Sequence, residues 1–152
     1  NFLQKIKYFS NLGLDALNKD TNGQYLFLKI NNSIVPIKQI LLNQKIIAGI
    51  GNIYASEILF DAKISPFEVG KNLNIDDCKK IIISTKKILK KAINAGGSSL
   101  KDYLAVDGTI GNFQENFKVY NREGKIISGN IIEKTVQYGR STYYSPKLQK
   151  KK

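Results

Sequence analysis

A turn with two glycines and an asparagine, Gly49, Gly51 and Asn52, stands directly before a stretch with helical character. Glycine lets a backbone approach a phosphate closely, and the free N–H groups at a helix N-terminus attract an anion. Asn52 offers a further hydrogen bond and Lys38 a positive charge, so these residues are suited to holding a phosphate. The pattern is also compatible with glycines that serve only a positive φ, and it is too short for a P-loop or a dinucleotide fingerprint.

The residue types that most covalent catalysis needs are scarce in this sequence. Histidine is absent and Cys78 is the sole cysteine, so no Ser-His or Cys-His pair is available. The adjacent carboxylates Asp76 and Asp77 stand at a predicted helix start, where capping explains them better than acid–base chemistry. One cysteine also excludes a disulfide or a cysteine-based zinc site within one chain. We therefore predict no metal, no cofactor and a reducing, cytoplasmic setting.

The net charge indicates the class of partner. The 152 residues include 24 basic and 12 acidic side chains, a formal charge of +12. The segment from Lys118 to Lys152 has nine basic and two acidic residues and carries +7 of that charge. Such a concentration favours nucleic acid, because each neutralised phosphate releases counterions, although a merely solubilising surface would have the same sign. No apolar run is long enough to cross a membrane, and we predict a monomer.

Several short elements must position the glycine turn. The segment Asn11 to Asp15 predicts a turn that leads into a short helix, and Gln24 to Ile30 is compatible with helix or strand. Ile37 to Leu42 follows a proline, which suits the first turn of a helix. Asn52 is predicted to be the N-cap of a further helix that ends near Phe60.

The strongest helix prediction covers Ile75 to Ala95, with Asn74 as its cap and Gly96-Gly97 as its end. The lysines of this segment are predicted to form a solvated surface. After it, short β-prone runs punctuated by glycines predict a loop and then a small β-hairpin module, with Lys150 to Lys152 as a frayed tail. One face of the helix is apolar at three- and four-residue spacing: Cys78, Ile81, Ile82, Thr85, Ile88, Leu89 and Ala92.

The run from Ile37 to Pro66, with Ala-Gly-Ile-Gly-Asn-Ile-Tyr-Ala at its centre, resembles the helix-two-turn-helix of formamidopyrimidine-DNA glycosylases and endonuclease VIII-like enzymes. The resemblance continues through Ala95 to Tyr103, Lys118 to Gly124 and Gly139 to Pro146, in the same order and with similar spacing. It implies a mainly α fold, with a helical DNA-binding domain over residues 1–112 and a β-hairpin finger over residues 113–152.

The finger of this family is normally a four-cysteine zinc finger, and this sequence departs from that pattern. Lys125 to Ser128 stand where the first cysteine pair belongs, and Ser145 and Leu148 stand at the second. None of these side chains supplies a zinc ligand of the usual kind. The resemblance therefore implies a zincless finger, which we predict to be held by packing among Ile126, Ile127, Ile132, Val136, Tyr143 and Tyr144.

The resemblance also implies which residues contact DNA. Arg140 matches the finger arginine, whose planar and permanently charged guanidinium suits phosphates on both sides of a flipped-out nucleotide. If Asn52 grips the same backbone, the two side chains must lie on one face of the fold. The implied DNA-binding residues are Lys38, Gly51, Asn52, Tyr54 and Arg140.

The segment after the long helix matches the loop that, in this family, folds over an everted damaged base. A base must leave the stack before an enzyme reaches its glycosidic bond. The loop offers hydrogen-bond donors and a stacking surface, although an ordinary structural loop would contain the same residue types. The implied base-contacting residues are Ser98, Ser99, Lys101 and Tyr103.

The implied activity depends on residues outside this sequence. In the family an amino-terminal proline nucleophile and a glutamate lie on a separate β-sandwich domain, whereas this chain begins with Asn1 and Phe2. We expect the carboxy-terminal part of a glycosylase and AP lyase that removes oxidised purines in base-excision repair, inactive when alone. The expected partner is duplex DNA containing a damaged base or an abasic site. The alternatives are a non-enzymatic nucleic-acid-binding module and an RNA-binding protein of ribosomal type.

Overall fold

Helices dominate the first part of the computed structural model, which describes residues 11–95 and 117–152. Asn22 caps the first helix by accepting a hydrogen bond from Tyr25 N at 2.8 Å, which decides the helix-or-strand alternative for this segment in favour of helix. The predicted mainly α class is confirmed by the four helices of the described ranges. These are α1 (Gly23–Ile30), α2 (Ile37–Leu42), α3 (Asn52–Ala62) and α4 (Ile75–Asn94), with a 3-10 turn at Gly70–Asn72.

The longest helix, α4, begins where its capping chemistry predicts. The Asn74 side chain accepts from Asp77 N at 2.8 Å, and Asp77 Oδ2 accepts from Asn74 N at 3.0 Å, which is a reciprocal capping box. The apolar face of α4 is buried against α1 and α3, and each large apolar side chain there contributes about 1.5–3 kcal/mol. Within the described ranges, no helix combines the length and hydropathy needed to cross a membrane.

The prediction that Asn11 to Asp15 form a turn leading into a short helix is wrong. Leu14–Asp15 form a short strand, β1, which pairs in parallel with β2 (Ile47–Ala48). Gly13 N donates to Gln44 O at 2.9 Å. A Cβ on Gly13 would lie 2.2 Å from Ile46 O, so only glycine permits this approach. Pairing between segments distant in sequence therefore overrides the local preference.

Two short antiparallel hairpins follow α4 in the described chain, where one hairpin module was predicted. The first joins β3 (Ile126–Ile127) to β4 (Asn130–Ile131), and the second joins β5 (Glu133–Gln137) to β6 (Arg140–Tyr144). Each turns through two residues with positive φ, and the second of the two is glycine. Such turns match the right-handed twist of the strands they connect.

Two clusters of buried side chains hold these elements together. The first fills the space among the four helices. The second joins α3 to the hairpins and consists of Phe60, Val119, Ile132 and Tyr143. Ile127 and Leu148 pack against its edge. The predicted packing of Ile126 and Val136 in the finger is wrong, because these side chains are 68% and 69% exposed.

Of the three terminal lysines predicted to be frayed, Lys152 is held in place by contacts. Lys152 N donates to Glu68 Oε1 at 2.5 Å, and the Lys152 ammonium pairs with Asp77. Glu68 is buried, and its other carboxylate oxygen accepts from Asn72 Nδ2 at 3.2 Å. A buried carboxylate needs such partners, because an unpaired buried charge is costly. The last residue is thus anchored to the helical part.

Candidate nucleic-acid interface

The N-terminus of α3 lies beside the second hairpin. Gly51 is the N-cap of α3 and Asn52 is its first helical residue, so the prediction of Asn52 as the cap is wrong. Its Nδ2 instead donates to Ser141 O at 3.1 Å. Asn52 Oδ1 is buried and accepts no hydrogen bond from any residue in the two described ranges. The side chain therefore ties α3 to the hairpin and keeps an unused acceptor.

Gly51 stands in front of this helix end without a structural need to be glycine. Its φ of −96° and ψ of 175° are extended backbone that any residue adopts. A Cβ added at Gly51 would meet no described atom within 4 Å. A side chain would nevertheless project into the space before the free N–H groups of the helix. Glycine at this position therefore leaves the space before the helix end open.

Lys38 occupies a different position from the one expected of a surface phosphate contact. Its side chain is only 1% exposed, and Nζ donates to Ser141 O at 3.0 Å and to Thr142 Oγ1 at 2.7 Å. Thr142 Oγ1 donates onward to Gln137 Oε1 at 3.0 Å, and Gln137 Nε2 donates to Pro66 O at 3.1 Å. This buried chain of hydrogen bonds fastens both strands of the second hairpin to the helical part.

The environment of Lys38 lowers the pKa of its ammonium group to about 8. Burial is the larger cause, since it disfavours the charged form, and the positive charge of Arg140 adds to it. The buried ammonium of Lys38 and the exposed guanidinium of Arg140 are therefore close enough to repel each other. A negative group beside Arg140 would relieve this repulsion.

Arg140 is the exposed first residue of β6 and pairs with Gln137 across the hairpin. The carbonyl of the next residue, Ser141, accepts hydrogen bonds from both Asn52 and Lys38. Contacts spanning about a hundred residues thus bring four of the predicted site residues together at the N-terminus of α3 and the start of β6. These are Lys38, Gly51, Asn52 and Arg140. Asn52 thus contacts the backbone of Ser141, the residue that follows Arg140.

The other predicted site residues lie elsewhere. Tyr54 is half-buried, packs against the first core and meets the Phe117 ring edge-on at a centroid distance of 5.9 Å. Its position is typical of a packing residue. The base-contacting residues predicted from the loop, Ser98, Ser99, Lys101 and Tyr103, fall outside the described residues.

Glu57 is a polar residue of this region that sequence reasoning overlooked. Its buried carboxylate accepts three backbone N–H groups, from Lys118 at 2.6 Å and from Val119 and Tyr120 at 2.9 Å each. Burial raises the pKa of the carboxyl above its usual range, and the three hydrogen bonds oppose that rise. Glu57 therefore fixes the chain leading into the hairpins against α3. A glutamate on a face that is otherwise apolar was the available clue.

The sequence model of a protein family, the formamidopyrimidine-DNA glycosylase H2TH domain, matches residues 12–103. The chain belongs to this family. It is 47% identical to the formamidopyrimidine-DNA glycosylase of Zymomonas mobilis over 151 residues, which are 99% of this chain and 56% of the relative. The corresponding enzyme of Wolbachia pipientis (strain wPip) is 46% identical over 93% of this chain and 53% of its own length. The chain thus spans about half the length of the curated relatives it matches.

Solved structures of the family extend the match to the hairpins. The Lactococcus lactis Fpg, in a complex with DNA containing an abasic site, is 32% identical with a TM-score of 0.83, covering 97% of this chain and 55% of that one. The MutM (Fpg) protein of Thermus thermophilus is 34% identical with a TM-score of 0.83, covering 96% and 56%. The resemblance predicted from the sequence motifs is confirmed.

The zinc site usual in the family does not fit the residues of this chain. Ser145 is buried, its Oγ accepts from Leu148 N at 3.3 Å, and its N–H donates to Gln149 Oε1 at 2.7 Å. Gln149 Nε2 donates to Ile64 O at 3.0 Å, while the Leu148 side chain packs against the second core. Residues 11–95 and 117–152 contain no cluster of side chains able to hold a metal. Hydrogen bonds and packing stabilise this finger where thiolates would bind zinc.

Proposed function

We propose that this chain binds duplex DNA at a damaged base or an abasic site, as the carboxy-terminal part of a formamidopyrimidine-type DNA glycosylase and AP lyase. In that role it takes part in base-excision repair of oxidised purines in chromosomal DNA. The observation that carries the proposal is the hydrogen bond from Asn52 to the carbonyl of Ser141, which joins the N-terminus of α3 to the start of β6, where Arg140 lies. We call this place the junction.

The proposed ligand of this junction is the backbone of one DNA strand. Gly51 leaves room for a phosphate to reach the N–H groups of α3, and the helix dipole favours its negative charge. Arg140 binds a neighbouring phosphate through charge-assisted hydrogen bonds, each worth about 1.5–3 kcal/mol. Two adjacent phosphates held from one side leave the nucleotide between them free to turn out of the stack.

In this proposal Lys38 acts beneath the surface instead of touching DNA. Its ammonium holds Ser141 and Thr142, so it fixes the strand that presents Arg140. Asn52 holds the same Ser141 carbonyl from α3. These three hydrogen bonds reduce the freedom of Arg140 before DNA arrives, and a preorganised contact has less entropy to lose on binding.

The remaining parts of the proposal concern the damaged base and the chemistry. Ser98, Ser99, Lys101 and Tyr103 would contact an everted base. The covalent steps would fall to an amino-terminal proline followed by a glutamate, a pair that these 152 residues do not contain, so the chain alone binds abasic DNA without cleaving it.

A titration of binding against salt tests the proposal. Arg140→Ala should weaken binding of an abasic-site duplex and flatten the slope of log affinity against log salt by about one unit. Asn52→Ala should weaken binding with the slope unchanged, because it removes no charge. Lys80→Ala, an exposed lysine on α4, is the control of equal charge. If Arg140→Ala and Lys80→Ala lose equal affinity, the binding is only nonspecific electrostatic attraction and the proposed role of Arg140 is wrong.

Borohydride reduction separates binding from chemistry in the same preparation. Borohydride traps a Schiff base between a protein amine and an abasic site, so the proposal expects no covalent product from this chain. A trapped product would contradict the proposed division of labour and assign lyase chemistry to these 152 residues. The ribosomal-type alternative predicts tighter binding of a structured RNA than of the abasic duplex.

A further inference from the structure

The turn of the second hairpin carries an exposed aromatic residue, Tyr138, beside Arg140. Tyr138 and Gly139 are the two central residues of this turn, with φ of 52° and 77°. Positive φ at both positions is typical of a type I′ turn, which favours asparagine followed by glycine. A bulky side chain is an outlier in this conformation, and such strain is found most often where a residue serves a function.

The first hairpin provides an internal comparison. Its turn consists of Ser128 and Gly129, with φ of 53° and 79°, so the backbone conformation is nearly the same. Serine, a small polar residue, occupies the position that Tyr138 has in the second turn. The turn geometry therefore does not require an aromatic side chain, and the choice of tyrosine needs another explanation.

Packing within the protein does not provide that explanation. Tyr138 is 69% exposed, and it forms no ring contact or side-chain hydrogen bond with the residues of the two described ranges. Tyr143 of the same hairpin, by contrast, is buried in the second core and donates to Asn121 Oδ1 at 2.9 Å. An exposed ring at a strained position removes little apolar surface from water in this chain alone.

The position of Tyr138 near Arg140 indicates what its ring contacts. Tyr138 is two residues from Arg140, so their Cα atoms are at most about 7 Å apart. This distance is similar to the distance in DNA from one phosphate to the sugar and base attached to it. We infer that Tyr138 is a further DNA-contacting residue, whose ring packs on the nucleoside next to the phosphate held by Arg140. This inference rests on the proposed function and adds an apolar contact to an interface otherwise made of charges and hydrogen bonds.

The chemistry of the ring defines what the contact can recognise. Every base and every deoxyribose presents an apolar face, so the contact would tolerate any sequence. An abasic site or a flipped-out base leaves a neighbouring nucleoside with an uncovered face, which an aromatic ring can cover. The contact should therefore favour duplexes with an abasic site over intact duplexes of the same length.

Tyr138→Asn separates the contact from the stability of the turn. Asparagine is favoured in this turn, so the melting temperature should stay the same or rise. Affinity for a dye-labelled duplex with a tetrahydrofuran abasic analogue, measured by fluorescence anisotropy, should fall about 5- to 150-fold, as expected for losing one aromatic stacking contact. The slope of affinity against salt should not change. Tyr138→Phe keeps the ring and should bind within about twofold of the parent chain.

The outcomes distinguish this inference from the function on which it rests. If Arg140→Ala weakens binding and Tyr138→Asn does not, the ring contact is refuted and the proposed function stands. If Tyr138→Phe binds as poorly as Tyr138→Asn, the hydroxyl is responsible and stacking is refuted. A lower melting temperature for Tyr138→Asn would show that the tyrosine serves the fold. If the parent chain does not prefer the abasic duplex to an intact one, both proposals fail.

Discussion

The buried ammonium of Lys38 should make the stability of this protein depend on pH in the alkaline range. The folded state holds Lys38 with a pKa of about 8, against an ordinary value of 10.5. Between these two pH values the unfolded chain retains a proton that the folded chain has released. The unfolded state then binds more protons, so the free energy of unfolding rises with pH over this interval. A shift of this size corresponds to about 3 kcal/mol, because each pKa unit is worth about 1.4 kcal/mol.

Lys38→Met removes the titrating group and retains most of the volume. Ser141 O keeps its hydrogen bond from Asn52, and Thr142 keeps its hydrogen bond to Gln137, so the substitution leaves few polar groups without partners. At pH 7 the loss of charged hydrogen bonds, about 1.5–3 kcal/mol each, is largely offset by relief of the buried charge. At pH 7 the free energy of unfolding of the variant should therefore be within about 2 kcal/mol of that of the parent. By pH 10.5 the parent should have gained about 3 kcal/mol relative to the variant.

Urea unfolding followed by circular dichroism at pH 7, 8, 9 and 10 measures this difference. The informative quantity is the free energy of unfolding of the parent minus that of Lys38→Met, because contributions from groups that both proteins share cancel in this difference. Lys80→Met, at an exposed position on α4, should follow the parent at every pH. A difference between the parent and Lys38→Met that stays constant from pH 8 to 10 would refute the reasoning.

Three further predictions concern the contacts around this centre. Glu57→Gln should lower the free energy of unfolding by about 1–3 kcal/mol in urea titrations, because an amide nitrogen would face backbone N–H donors that the carboxylate now satisfies. Unchanged stability would contradict this role. Gly51→Ala should leave the melting temperature unchanged and weaken binding of an abasic duplex, since the added methyl meets only open space; equal affinity would argue against a phosphate there. Chelator should leave the melting curve unchanged, because Ser145 and Leu148 cannot bind zinc; a stoichiometric zinc signal in elemental analysis would contradict this.

Much of the fold could be predicted because its determinants are local. Asn74 and Asp77 form the capping box that begins α4, and the three- and four-residue spacing of apolar residues defines its buried face. The positions of glycine predicted the hairpin region, and the Gly49 to Asn52 pattern predicted the start of α3 to within one residue. Caps, periodicity and turns depend on residues a few positions apart, so they can be read without knowing the path of the chain.

The candidate site depended on tertiary structure. Lys38 looks like a surface cation in the sequence, yet hydrogen bonds to residues more than a hundred positions away bury it. Asn52 has the residue type of a helix cap, yet its amide donates to the carbonyl of Ser141. Glu57 resembles an ordinary polar residue until the backbone of a distant segment supplies its three donors. Residue types and their spacing thus determined the family, the helices and the concentration of charge. Only the packing of α3 against the hairpins decided which polar groups are buried, because burial depends on what the chain brings back from far along the sequence.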